Sequence, residues 1–196
     1  MSKRGTFLIV LGSLCLAAAL CLTGYNIWDE QRAARAAEDG VAALQEMIPD
    51  RQESEQLILP EEQPVMATLK WADLDYIGVL EIPALGRVLP VQGTWSDSLL
   101  RYSPCLYEGN LHDGMIIAGH NYRSHLAGLS KLSIGDEIRF TDADGNVWHY
   151  TVQATQVIDG MDVEAMKEGD WDLTLFTCTF GGQQRFTVRC SMNVGT

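Results

Sequence analysis

From Gly5 to Trp28 the chain carries no Asp, Glu, Lys, Arg or His, and its centre, Phe7 through Leu22, is apolar nearly throughout. A helix needs roughly 20 such residues to cross the hydrocarbon layer of a bilayer. This run therefore points to a tethered or exported protein before anything else is read. Lys3 and Arg4 precede it, Asp29 and Glu30 follow it, and Tyr25 and Trp28 sit at its far end. Basic residues stay on the cytoplasmic side, and aromatic rings collect at the interface. The reading is a single-pass signal-anchor over residues 1–28, with the N-terminus in the cytoplasm and the rest outside the cell membrane. A cleaved signal peptide is the competing reading, with Ala17-Ala18-Ala19 as its small residues. Against it, signal cores are usually only about 7–15 residues long.

The charge balance narrows the rest. All 26 acidic residues follow Trp28, against 14 basic residues in the whole chain, for a formal charge of −12. No basic stripe exists to displace counterions from phosphate, which argues against nucleic acid as a partner. A chain of 196 residues, 46% hydrophobic and 20% charged, is globular and holds one ordinary domain plus an appendage. Residues 29–75 read as an extracellular helical stalk and linker. The spacing of Ala37, Val41, Leu44 and Ile48 predicts a helix from Asp29 to about Leu59, broken or kinked at Pro49. Pro60-Glu61-Glu62-Gln63-Pro64 then serves as the linker.

From Tyr76 to the end the texture is short apolar runs between turn residues. Strands are expected over 76–82, 88–91, 114–118, 137–141, 147–152, 173–177 and 185–192, with short helices at 96–101 and 163–167. Seven or eight strands in this span point to a mainly β domain, a closed barrel or a sandwich. Asp142-Ala143-Asp144-Gly145-Asn146 joins two of them as a hairpin turn. It lacks the further oxygen ligands and the terminal Glu of a calcium loop.

Three cysteines lie outside the apolar run, an odd number, so at least one thiol is unpaired within the monomer. Cys190 alternates with Phe186 and Val188 and belongs to a core face, whereas Arg185, Thr187 and Arg189 take the other face. Cys105 follows Ser103-Pro104 in a connection, and its pairing with Cys190 is open. Cys178 ends an apolar run just before Gly181-Gly182, where a side chain can face a groove. A thiol nucleophile needs a neighbouring base, and His120, at the end of the run 115–118, is the best placed. His125 is the weaker alternative, His149 reads as structural and His112 as solvated. Arg185, and with less favourable spacing Arg189, can supply the donor for an oxyanion.

Thr174-Leu175-Phe176-Thr177-Cys178 resembles the T-L-x-T-C signature of sortases, Ala118-Gly119-His120-Asn121 their histidine strand end, and Arg185-Phe186-Thr187-Val188 their arginine strand. Ile77 through Pro83 is similar to their opening strand, and the likeness runs from about Tyr76 to Cys190. The resemblance implies a closed eight-stranded β-barrel over 76–196, on a Gram-positive cell surface. It implies a cysteine transpeptidase that cleaves an LPxTG-like C-terminal sorting signal, with Cys178 as nucleophile, His120 as proton shuttle, Arg185 as oxyanion donor and Thr177 as a substrate-binding residue. The acceptor is an amine of a peptidoglycan precursor or a pilin lysine, and neither metal nor organic cofactor is required. No aromatic-bearing lid motif of the pilus-polymerising type is evident, which favours cell-wall anchoring. Two other readings compete: an L,D-transpeptidase-like cell-wall enzyme, whose cysteine sits in an S-x-G-C-like setting, and a non-enzymatic tethered β-domain that binds a partner.

Overall fold

The computed structural model describes residues 3–50, 52–53 and 66–193. Helix α1 spans Lys3–Met47. Up to Arg32 it forms one compact unit, and the chain from Ala33 forms a second. In the first unit Phe7, Leu8, Leu14, Leu20 and Trp28 all face outward. None of its most apolar 18-residue stretch is buried by protein. A helix that is apolar all round and covered by nothing has the length and composition of a membrane-crossing segment.

In the second unit α1 buries a narrow stripe of Ala33, Ala37, Gly40 and Leu44, spaced at the helical period. Small residues let the helix come close to the sheet. A Cβ on Gly40 would lie 3.0 Å from Pro90 and 3.5 Å from Trp71. Leu44 joins Tyr76 and Val79 in a small apolar cluster beneath it. The helix ends at Met47, well short of the expected Leu59. Pro49 bars the α conformation at the residue before it, and Gln52–Glu53 instead form strand β1. The expected linker at 60–64 lies outside the described residues.

The remaining strands are β2 (Leu69–Trp71), β3 (Leu74–Ile82), β4 (Arg87–Gln92), β5 (Cys105–Asn110), β6 (Asp113–Gly119), β7 (Glu137–Asp142), β8 (Asn146–Asp159), β9 (Leu173–Cys178) and β10 (Gln184–Met192). Eight of them close a barrel in the order β8-β10-β9-β6-β5-β4-β3-β7 and back to β8. β1 adds in parallel to β8, and β2 adds antiparallel to β3. Closure removes the free edges that an open sheet would present. The narrowest seam is the single parallel pair Gln92 with Cys105. There the buried Gln92 amide donates to the Leu99 carbonyl at 3.0 Å and Ser103 Oγ at 2.8 Å.

The interior is filled from alternate positions, among them Ile77, Leu80, Ile117, Phe140, Tyr150, Leu175, Val188 and Cys190. A register shift at Gly78 lets Ile77 and Leu80 both enter the barrel while Tyr76 and Val79 turn to α1. Only glycine fits there, because its φ is +153° and a Cβ would sit 2.1 Å from the Thr141 carbonyl oxygen.

Further elements differ from the sequence reading. Cys105 is not in a connection but opens β5, a strand whose Glu108, Gly109 and Asn110 show no alternation. Its irregular pairing with β6 holds it in place. The expected helix at 96–101 shrinks to a 3-10 turn at Leu99–Arg101, whereas α2 (Val163–Lys167) forms where the pattern put it. The Asp142 turn is a hairpin. Its carboxylate accepts from the Asp144 and Asn146 backbone, the Asn146 amide and the Trp148 indole, at 2.9 to 3.0 Å.

Candidate active site

Strand register alone brings three residues together. β6 and β9 are parallel neighbours with Gly119 opposite Thr177. The next residues, His120 and Cys178, therefore leave the two strand ends side by side. β10 runs antiparallel on the far side of β9, with Arg185 opposite Cys178. Residues opposite each other in a sheet project from the same face. All three accordingly line one cavity of about 390 Å³ on the outside of the barrel.

Part of the cavity lining is apolar, with Ala118, Met166 and Phe176 among its residues. Ile116, Ala118, Ile158, Met166 and Phe176 form a second small core between the barrel's outer face and α2. Aromatic rings continue it outward: Phe176 meets Tyr107 edge-on at 5.4 Å, and Tyr107 meets Trp95 edge-on at 5.6 Å. Three carboxylates, Asp97, Asp159 and Asp162, also line the cavity. Asp162 additionally caps α2 by accepting from the Ala165 N–H at 3.0 Å.

The loop carrying His120 folds straight back on β6. Leu126 is fully buried against Gly119, where a Cβ would come within 2.4 Å of it. His120 lies flat on Tyr122, ring centroids 4.0 Å apart. Among the other histidines, His125 is fully buried and does not line the cavity. His149 pairs with Glu137 at 2.9 Å on the neighbouring strand, and His112 packs edge-on against Trp148 at 5.9 Å.

The two arginines of β10 separate clearly. Arg189 is 1% exposed and donates to the carbonyls of Met166 (2.6 Å) and Ala165 (2.7 Å) and to Thr174 Oγ1 (2.9 Å). It thereby closes the last turn of α2, whose carbonyls have no helical partner. Burial lowers its pKa from the usual arginine value. Arg185 is half-buried, and its guanidinium donates to the Gly182 carbonyl at 2.8 Å beside the cavity.

The cysteines separate as well. Cys105 and Cys190 are free, fully buried thiols, each pushed up to about 12 by burial, so no disulfide joins them. Cys178 is free and half-buried at the cavity. Thr177 does not join the group: alternation turns it to the opposite face of β9, where it is 4% exposed, opposite Phe186 on β10. Its side chain is not among those that line this cavity.

A family model for the sortase domain matches residues 80–193, more than half of the chain. The chain belongs to the sortase family.

The matched stretch contains Cys178, His120 and Arg185, and family membership places the chain among transpeptidases. Solved sortases share the fold. Sortase C1 from Streptococcus agalactiae is 23% identical with a TM-score of 0.56, covering 67% of this chain and 75% of its own. Sortase C from Streptococcus pneumoniae is 21% identical with a TM-score of 0.56, covering 84% and 88%. Sortase A from Listeria monocytogenes is 22% identical with a TM-score of 0.54, covering 60% and 87%. None of the curated proteins compared with the chain matches it.

A second cavity of about 390 Å³ opens on the other side of Met166, lined by Glu108, Asp113, Asp170 and Asp172 among others. It contains none of the three sortase-motif side chains. No three His, Cys, Asp or Glu side chains among the described residues are arranged to hold a metal ion. Sequence reasoning missed Tyr107, Trp95 and Tyr122 at the site. Phe176 was within reach, because alternation from Cys178 puts it on the same face, but Tyr107 follows only once β5 is known.

Proposed function

We propose that this chain is a membrane-anchored cysteine transpeptidase acting on proteins with an LPxTG-like C-terminal sorting signal. The observation that carries the reading is the shared face and cavity of Cys178, His120 and Arg185. Cys178, its thiol proton held by His120, attacks the scissile carbonyl carbon through Sγ, and the carbonyl π electrons move onto oxygen. Arg185 donates hydrogen bonds to that oxyanion from a fixed position beside the nucleophile. Collapse breaks the C–N bond, His120 protonates the departing amine, and a thioester remains on Cys178. An incoming amine, from a peptidoglycan precursor or a pilin lysine, attacks the thioester and gives its proton to His120. The Cys178 thiolate leaves, its proton again held by His120, and the cycle closes with no net redox change. This set supplies the nucleophile, proton shuttle and oxyanion donor that acyl transfer needs.

The N-terminal segment of α1 anchors the enzyme, with the catalytic domain on the outer face. The test uses the full chain in detergent micelles with a panel of sorting-signal peptides and hydroxylamine or a glycine peptide as acceptor. Intact-protein mass spectrometry is expected to show a thioester adduct and amine exchange in wild type and neither in Cys178→Ala. Exchange that survives Cys178→Ala, or a Cys178 thiol that resists alkylation in folded protein, overturns the reading.

A further inference from the structure

Three rings lie in contact along the loop after β6, the last of them at the cavity. His125 is fully buried. Tyr122 meets it edge-on, centroids 5.2 Å apart and planes at 74°. On its other side Tyr122 lies flat on His120, centroids 4.0 Å apart and planes at 5°. Aromatic pairs more often sit at about 4.5–7 Å, offset or edge-on, so here the two faces overlap. The backbone beneath is equally fixed. The Tyr122 carbonyl accepts from the N–H groups of His125 at 3.0 Å and Ala127 at 3.1 Å. The neighbouring Arg123 carbonyl accepts from the Arg87 side chain at the start of β4. The ring is anchored from behind before any ligand arrives.

We infer that Tyr122 is a positioning residue for His120, its ring face holding the imidazole toward Cys178 and favouring the protonated imidazolium. An aromatic face is negative at its centre and attracts a cation within about 6 Å. A flat stack also removes the rotation about the ring-bearing bond that an exposed histidine retains. The inference rests on His120 being the proton shuttle. A shuttle must carry a proton when the amine leaves and face the same atom when the next amine arrives.

Other groups act on the same titration. Arg101 and Arg185 in the cavity oppose the imidazolium, while Asp97, Asp159, Asp162 and a Cys178 thiolate favour it. Arg123 and His125 lie on the histidine's own loop. None of these groups is removed by substitution at Tyr122, and Tyr122→Phe keeps the ring contact with His125, so the difference between the Leu and Phe variants reports the ring.

The test is a titration of the full chain in detergent micelles with ¹³C-labelled histidine rings, followed by NMR, His120 being assigned by its loss in His120→Gln. Tyr122→Leu is expected to lower the His120 midpoint by about half a unit to one unit, and Tyr122→Phe, which keeps the face, to restore it. In peptide exchange Tyr122→Leu is expected to lower kcat about 3- to 10-fold with KM unchanged. An unchanged midpoint in a folded Tyr122→Leu protein overturns the inference. Should that variant fail to fold, Tyr122→Met has similar reach without a ring and carries the same expectation. If wild type forms no thioester with any peptide, the transpeptidase reading fails, while the titration still decides the stack.

Discussion

Arg185 and Arg189 leave the same face of β10 four residues apart, yet Arg185 lines the cavity around Cys178 while Arg189 is buried under α2. Identical side chains on one face thus sit in different surroundings. Arg185→Ala is expected to slow thioester formation by about 10²- to 10³-fold, the usual effect of losing one oxyanion donor, with little change in Tm. Arg189→Ala leaves two carbonyls and the Thr174 hydroxyl without a donor, and is expected to destabilise the fold by about 2–4 kcal/mol. Thermal unfolding and single-turnover kinetics on both variants check the contrast.

Cys178 is the accessible thiol of the barrel. A methanethiosulfonate reagent at pH 8 is expected to modify it and to spare Cys105 and Cys190, whose burial holds both as neutral thiols up to about 12. Reaction needs the thiolate as well as access. The adduct count by intact mass is expected to fall by one in Cys178→Ala. That variant is expected to lose about 10³-fold or more in turnover.

Gly119 and Leu126 are coupled. A Cβ at residue 119 would lie 2.4 Å from Leu126 Cδ1, and Leu126 has no solvent side to move into. Gly119→Ala is expected to destabilise by about 1–3 kcal/mol through overpacking. It is also expected to slow thioester formation by about 10- to 100-fold by shifting the His120 loop. The double variant Gly119→Ala/Leu126→Ala is expected to be more stable than the sum of its singles predicts, because the space vacated by leucine receives the new methyl. Denaturant unfolding of the four proteins in this cycle measures the coupling.

Stability is expected to fall on the alkaline side. Burial raises Cys105 and Cys190 from 9.0 to about 12, and Tyr76 from 10.0 to about 12. The folded state keeps these protons to higher pH than the unfolded chain does. Their contribution is therefore complete below about pH 9 and is lost as pH rises toward 12, by about 1.4 kcal/mol per pH unit for each thiol. Urea unfolding under reducing conditions between pH 8 and 11 is expected to show the decline, and Cys190→Val to make it shallower by one group.

The sequence by itself determined the apolar helix and seven of the eight barrel strands and singled out Cys178, His120 and Arg185 as candidates, because period-two alternation and local motifs are written along one strand. The inward Val188 and Cys190 and the outward Arg185 and Arg189 follow from that alternation alone. Tertiary structure decided what depends on residues far apart in the chain. β5 exists because β6 pairs with it, not because Glu108, Gly109 and Asn110 favour a strand. The two arginines take up different surroundings only when α2 settles over one of them. The stack of Tyr122 on His120 needs a loop that turns back on Gly119 over a buried leucine. Alternation fixes which face a side chain takes, whereas its neighbours on that face are fixed by strand register and by the elements that pack across it.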